Sequence, residues 1–267
     1  MNKKNIILYL FIFLVFLPIN SYAEIICLRM SSTADGRHEY FCELLKTALV
    51  NDGHDVYIKK IPGLPLLRKL NMLKSGGISI ARLFRTPERD KDYIPIPVNL
   101  TNGLIGKRVL LIPAEDLHIY EKVKTLDEFR NINKVAAFGK KWFDVGIWKE
   151  NDLPYKEVVN VNNIYKMVAT KSRGLDYFTR GFNEVLQSVN KYDALVIEPH
   201  LLLEYNHDFI FYLSPQEARL KPVIGKALLH AKSSGLIDKL IHKYWSVNFE
   251  VLKPENRTVI KLKSLTY

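Results

Sequence analysis

The chain is 267 residues long, 48% hydrophobic and 25% charged, with 13 glycines, 12 prolines and two cysteines. Those proportions exclude a disordered chain, a collagen-like repeat and a disulfide scaffold, and they suit one large domain or two lobes. The formal net charge of +11 favours anionic partners, yet no basic stripe with interleaved aromatics points to nucleic acid.

In chain order, the first element reads as a leader. Lys3 and Lys4 precede an apolar run from Ile6 to Leu17, Pro18 ends it, and Ser21-Tyr22-Ala23 puts small residues where a signal peptidase cuts. The run is too short to span a hydrocarbon core, which takes about twenty residues. Cys27 follows Glu24-Ile25-Ile26, without the small residue that a lipoprotein site places before its cysteine. The expectation is export, with residues 1–23 removed, a periplasmic and soluble mature chain, and a net charge lowered to +9 by the loss of Lys3 and Lys4.

Next, EIICLRM (24–30) predicts a strand and EYFCELLKTALV (39–50) a helix, since Phe41, Leu44, Leu45, Ala48 and Leu49 recur at helical spacing. A strand and the helix after it pack together, so Cys27 and Cys42 read either as a bridge or as two buried thiols. HDVYIKKI (54–61) is a strand, LPLLRKLNMLKSGG (64–77) a helix ended by glycines, and ISIARLF (78–84) a third strand. Strand–helix alternation implies a parallel α/β sheet. GLIGKRVLLIPAE (103–115) is another strand, and Thr125 with Glu128 forms a capping-box pattern at the helix 125–133. Alternation then resumes: strand 134–139, helix 143–151, strand 155–161, helix 163–172, strand 175–179 and helix 182–190. Residues 194–214 hold two strand-like pieces, residues 217–245 two helices, and 253–267 reads as a basic tail.

The segment GGISIARLFRTPERDKDYIPIP (76–97) carries the most specific signal, a knot of arginines directly after an apolar strand. Leu73, Gly76 or Gly77, Ile78 and Ile80, followed by Thr86-Pro87-Glu88-Arg89 and by Pro95 and Pro97, resemble the first-lobe pattern of the family 3 solute-binding proteins of amino-acid importers. Gly103-Leu104-x-Gly106 and Lys243-Tyr244-Trp245 are similar to later pieces of that family. Gly139, Trp142 and Asp144, with Arg173, Asp176, Tyr177, Phe178, Arg180, Gly181 and Glu184, are similar to an uncharacterised divergent branch, apart from the inserted Gly174. The resemblance in element order spans residues 24 to 250.

It implies an α/β, two-lobed type 2 periplasmic-binding-protein-like fold, each lobe a sheet flanked by helices, with a two-strand hinge near 105–113 and 206–214. Lobe I would take 24–112 and 209–267, and lobe II 113–208. The implied partners are a small-molecule ligand and an inner-membrane permease of an ABC transporter, or a sensor protein, with the binding protein a monomer and no cofactor. The family's T-P-E-R arginine holds a ligand carboxylate, which assigns Arg89 as the anion clamp, with Thr86 beside it; the bland alternative is a surface pair of Arg89 with Asp90 or Asp92. A guanidinium suits this, because it matches a carboxylate fork to fork.

The departures are equally informative. Ala81, Arg82 and Phe84 stand where amino-acid binders carry small hydroxyl residues, and Lys140, Lys141 and Trp142 follow Gly139 instead of Ser or Thr. Where the family places an acid for the ligand's ammonium, the count of elements falls on Arg180 or Gly181, or on Glu198 in the other alignment. The expected ligand site is therefore Arg89, Thr86, Arg82, Trp142, Asp144 and Arg180, opposing cations that suit an anion or a carboxylate-bearing solute. Trp142 could equally be a core aromatic, and Arg180 could pair with Glu184 one turn on. No catalytic residues are expected: there is no G-x-S-x-G elbow, Gly103 to Arg108 is no P-loop, and His200 and His207 form no helical metal pair. The protein is read as a non-enzyme, with a small-acid dehydratase on the same fold as the remaining catalytic option.

Overall fold

The computed structural model describes residues 25–32, 39–189 and 194–265. The expected leader lies outside them. Among the described residues no helix is long and apolar enough to cross a membrane.

Strand β1 (Ile26–Ser32) and helix α1 (Glu39–Asn51) open the first lobe. The helix buries Tyr40, Phe41, Leu44, Leu45, Ala48 and Leu49, one stripe at i, i+4 spacing, against the sheet. Then come β2 (Val56–Pro62), α2 (Leu66–Lys74), β3 (Ile80–Phe84), the short α3 (Pro87–Asp92) and β4 (Ile94–Ile96). The second lobe holds β5 (Lys107–Ile112), α4 (Leu117–Tyr120), α5 (Leu126–Asn131), β6 (Ala136–Gly139), α6 (Phe143–Glu150), β7 (Tyr155–Val158), α7 (Ile164–Ala169), β8 (Tyr177–Gly181), α8 (Val185–Val189), β9 (Val196–Ile197) and β10 (Leu201–Glu204). The chain ends with β11 (Phe209–Leu213), α9 (Lys221–Ser233), α10 (Leu236–Leu252) and β12 (Thr258–Lys261). The capping box at α5 is formed, with Thr125 Oγ1 accepting from the Glu128 N–H and Glu128 Oε2 accepting from the Thr125 N–H.

Two sheets result. One runs β2-β1-β3-β11-β4, and the other β12-β10-β5-β8-β6-β7, with β9 beside β5. The sheets are mixed rather than parallel throughout. β11 is antiparallel to β3 and β4, and β5 is antiparallel to β8 and β10. The reason is connectivity: a strand that arrives from the other lobe enters without a crossover helix, so nothing imposes the parallel direction.

The chain crosses between sheets at residues 97–106 and returns at 205–208. The first crossing therefore lies earlier than the expected hinge. β5 belongs wholly to the second sheet, although the expected boundary at 112 placed it in lobe I, and 209–213 is an inner strand of the first sheet. The crossings touch closely: a side-chain carbon on Gly106 would lie 2.1 Å from the Tyr205 carbonyl oxygen. Asp208 ties them, accepting from the Thr101 N–H, the Thr101 hydroxyl at 2.7 Å and the Gly103 N–H at 2.8 Å.

A further correction concerns the C-terminus. The segment read as a basic tail contains β12, which pairs in parallel with β10. α10 starts on the first lobe and ends on the second, where Asn248 donates to the Phe182 carbonyl and Phe249 meets the Phe182 ring. Val259 and Ile260 alternate between exposed and buried faces, a strand pattern that the flanking lysines masked. The cysteines are free thiols: Cys27 is exposed, and Cys42 is buried with its Sγ 3.8 Å from the Met30 sulfur.

Candidate functional site

The cleft between the lobes contains a cavity of about 430 Å³. Its lobe I wall begins at the T-P-E-R turn. Thr86 caps α3 by accepting from the Arg89 N–H at 3.3 Å, and Pro87 at the first helical position pre-sets the turn. Arg89 is thereby held one helical turn past the end of β3, and its Nη1 donates to the Phe84 carbonyl at 2.5 Å. Arg85 points elsewhere, bonding Asp90 at 2.8 Å on the exposed side. Of these residues Arg89 lines the cavity; Thr86 and Arg85 line a separate depression. Thr86 is thus a cap whose oxygen is already engaged, which corrects its expected place in the ligand site.

Arg82 also lines the cavity, from the middle of β3. Its guanidinium lies over the rings of Phe41 and Phe209, 4.3 and 4.8 Å from their centroids. Such stacking fixes the position of a guanidinium on the cavity wall. The third cation was not foreseen. Lys69 on α2 is only 9% exposed, lines the cavity, and makes no side-chain hydrogen bond or ion pair among the described residues. Burial, reinforced by the charges of Arg82 and Arg89, pushes its ammonium down to about 8. The signal was available in the sequence, because Lys69 shares one face of α2 with Leu66 and Leu73, at i−3 and i+4.

The lobe II wall is built differently. Arg108 on β5 donates from Nε to Asp144 Oδ1 and to the Tyr205 hydroxyl, both at 2.9 Å, and that hydroxyl donates to Asp144 Oδ1 at 2.9 Å. Burial opposes the charge on Arg108, but Asp144 and Tyr205 outweigh it and hold the group protonated above its ordinary range. Asp144 is therefore the partner of Arg108. Arg180 at the end of β8 pairs with Glu184 at 3.0 Å and donates to Ser188 Oγ at 3.2 Å, so the alternative of a pair one turn on is the one realised. Gly181 makes the arrangement possible: a side-chain carbon there would come within 2.8 Å of Arg108 Nη1.

Trp142 joins both expected roles. It lines the cavity and also packs against the core, its ring 6.0 Å from that of Phe178. Gly139 is required beneath it, since a side-chain carbon would meet the indole Nε1 at 2.4 Å. Lys141, in a left-handed turn with φ 61°, completes the basic lining. Thr179 on β8 lines the cavity, and its buried hydroxyl has no hydrogen-bond partner among the described residues. Of the residues expected from sequence, Arg82, Arg89, Trp142, Asp144 and Arg180 thus meet around one cavity, and Lys69, Arg108, Lys141 and Thr179 join them.

The lobes also touch directly. Phe84 of β3 and Phe143 of α6 are stacked, centroids 4.6 Å apart at 24°, and Phe143 lies 4.4 Å from the His207 ring on the returning crossing. Burial lowers the pKa of His207 from its ordinary value. Among the described residues no group of three His, Cys, Asp or Glu could hold a metal.

Comparison with solved structures identifies this architecture. An amino-acid ABC transporter substrate-binding protein from Streptococcus pneumoniae, bound to L-arginine, superposes with a TM-score of 0.57 at 16% identity, covering 84% of this chain and 95% of that one. The GluR0 ligand-binding core with L-glutamate gives 0.57 at 11% identity, over 82% and 98%. The arginine-binding protein ArgBP of T. maritima gives 0.54 at 16% identity, over 82% and 95%. The fold is that of the type 2 periplasmic binding proteins. At these identities the likeness is one of fold. No family model and no curated protein sequence matches the chain.

Proposed function

We propose that this protein is an exported solute-binding protein that captures a small anionic, carboxylate-bearing ligand in its interlobe cleft and delivers it to an ABC-type permease of the inner membrane. The observation that carries the reading is the lining of the cleft: six basic side chains against two acids, Asp144 and Glu184, each of which is within 3.0 Å of an arginine. A free amino acid would bring an ammonium into that field with no uncommitted carboxylate to receive it. The structural neighbours crystallised with arginine and glutamate support the use of this fold for small solutes, while the charge of this cleft argues for a different class of solute. Arg89 acts as the clamp, Arg82 and Lys69 flank it, and Trp142 provides an apolar wall.

Native mass spectrometry of the purified protein, followed by identification of any compound released on denaturation, tests the reading. An acidic metabolite is the expected finding; a cationic amino acid in the cleft would overturn it. Export is tested by N-terminal sequencing of the periplasmic fraction, which should begin at Glu24.

A further inference from the structure

We infer, resting on the anion reading above, that the ligand carries two or more separate carboxylates on a flat or apolar body, and that Lys69 and Thr179 are the residues that select it. Two observations point there independently. Lys69 is a buried ammonium with no acceptor among the described residues, on the lobe I wall beside two guanidiniums. Thr179, 3% exposed, lines the same cavity from lobe II and carries a buried hydroxyl with no partner among the described residues. Buried polar groups in folded proteins are almost always satisfied, so two such groups facing one cavity mark places where a ligand atom belongs.

The geometry sets the number of acid groups. Arg82 and Arg89 belong to different elements and are fixed by different means, one by stacking on Phe41 and Phe209 and the other by the Phe84 carbonyl. They place two guanidiniums at separate points of the cavity wall, and one carboxylate engages one guanidinium bidentately. A monoacid on Arg89 would leave Lys69 desolvated beside Arg82, the arrangement that burial makes costly. A second carboxylate between Arg82 and Lys69 places a negative charge where the field of the protein most favours it. Between these ends lie Trp142, Phe143, Tyr165 and Phe209, which suit a flat or apolar connector. The cavity of about 430 Å³ is within the size range of pockets for small molecules.

Calorimetric titration of the purified protein at constant ionic strength tests this with matched pairs: benzoate against phthalate and isophthalate, butyrate against succinate, with phenyl phosphate, glutamate and arginine alongside. The expected result is at least tenfold tighter binding of the better dicarboxylate in each pair than of its monoacid. Lys69→Met, which keeps the apolar stem, should erase that ratio by lowering dicarboxylate affinity at least tenfold. Thr179→Val should weaken the dicarboxylate three- to tenfold; far-UV circular dichroism and thermal melts confirm that both variants are folded. Monoacids and dicarboxylates binding within twofold of each other would overturn the two-headed ligand while sparing the anion reading. Phenyl phosphate binding more tightly than every dicarboxylate would also overturn it, because charge on one head would then suffice. Binding of arginine with no response to any of the acids would overturn the anion reading itself.

Discussion

The two walls of the cleft use the same residue type in opposite ways. On lobe II, Arg108 and Arg180 each have a carboxylate of the protein within 3.0 Å, Asp144 and Glu184. On lobe I, among the described residues no acid lines the cavity; Arg82 lies over aromatic rings, Arg89 donates to a backbone carbonyl, and Lys69 has no acceptor. A guanidinium neutralised in place is part of the scaffold, whereas a buried ammonium with no acceptor among the described residues keeps its field for something that arrives later. The count of cations in a cleft is therefore a poorer guide to ligand capture than where their counter-ions sit.

Substitutions on the two walls should separate stability from affinity. The largest stability effect is expected at Asp144. Asp144→Ala leaves Arg108 charged and buried, a loss of about 3–5 kcal/mol, read from the midpoint of urea unfolding. An unchanged midpoint would mean that Arg108 finds solvent and that lobe II is no fixed scaffold. On the other wall, Arg89→Ala should leave the melt of the free protein nearly unchanged. It should remove about 2 to 5 kcal/mol of affinity for an acidic ligand, roughly thirty-fold to several thousand-fold. Calorimetry with the best dicarboxylate decides it, and retention of full affinity would return Arg89 to the status of a turn residue.

Lys69 supplies a smaller, pH-resolved effect. Its pKa in the folded, empty protein is about 8, below the ordinary lysine value. The empty protein therefore carries the penalty of a buried ammonium in full below pH 8. It sheds that penalty as the pH climbs from 8 toward 10.5, so stability at this position rises with pH. Affinity runs the other way. An anion favours the charged form, so binding is strongest below pH 8 and weakens above it, with a proton taken up on binding near pH 9. Titrations in buffers of different ionisation enthalpy should detect that proton, and Lys69→Met should abolish it. The smallest effect belongs to Arg85→Ala, which removes an exposed pair with Asp90 and should alter stability by less than about 1 kcal/mol and affinity by less than twofold. A large loss of affinity there would blur the distinction between the faces of the T-P-E-R turn.

Much of this was legible in the sequence. The alternation of apolar runs with helical stripes pointed to the α/β class, and the family resemblance of the T-P-E-R turn pointed to Arg89, which lines the cavity. What escaped notice depended on partners far apart in the chain. Whether Asp144 faces a ligand or an arginine is decided by Arg108, 36 residues away, and by Tyr205, 61 residues away. A lysine in a short helix reads as solvated, yet Lys69 is only 9% exposed and shares its face of α2 with Leu66 and Leu73. β12 reads as a tail because Lys261, on the open face of this edge strand, and Lys263 just beyond it hide the apolar pattern, lysine being a usual protection of such an edge.

The stacked rings of Phe84 and Phe143 bear on time rather than on equilibrium. They join the lobes, so their contact must part whenever the cleft opens, whichever solute is inside. An aromatic pair contributes about 0.5–1.5 kcal/mol beyond its buried area, and if all of it is lost on the way to the open form, escape slows roughly two- to tenfold. Charge would then decide which molecule is held, and these two rings how long it stays.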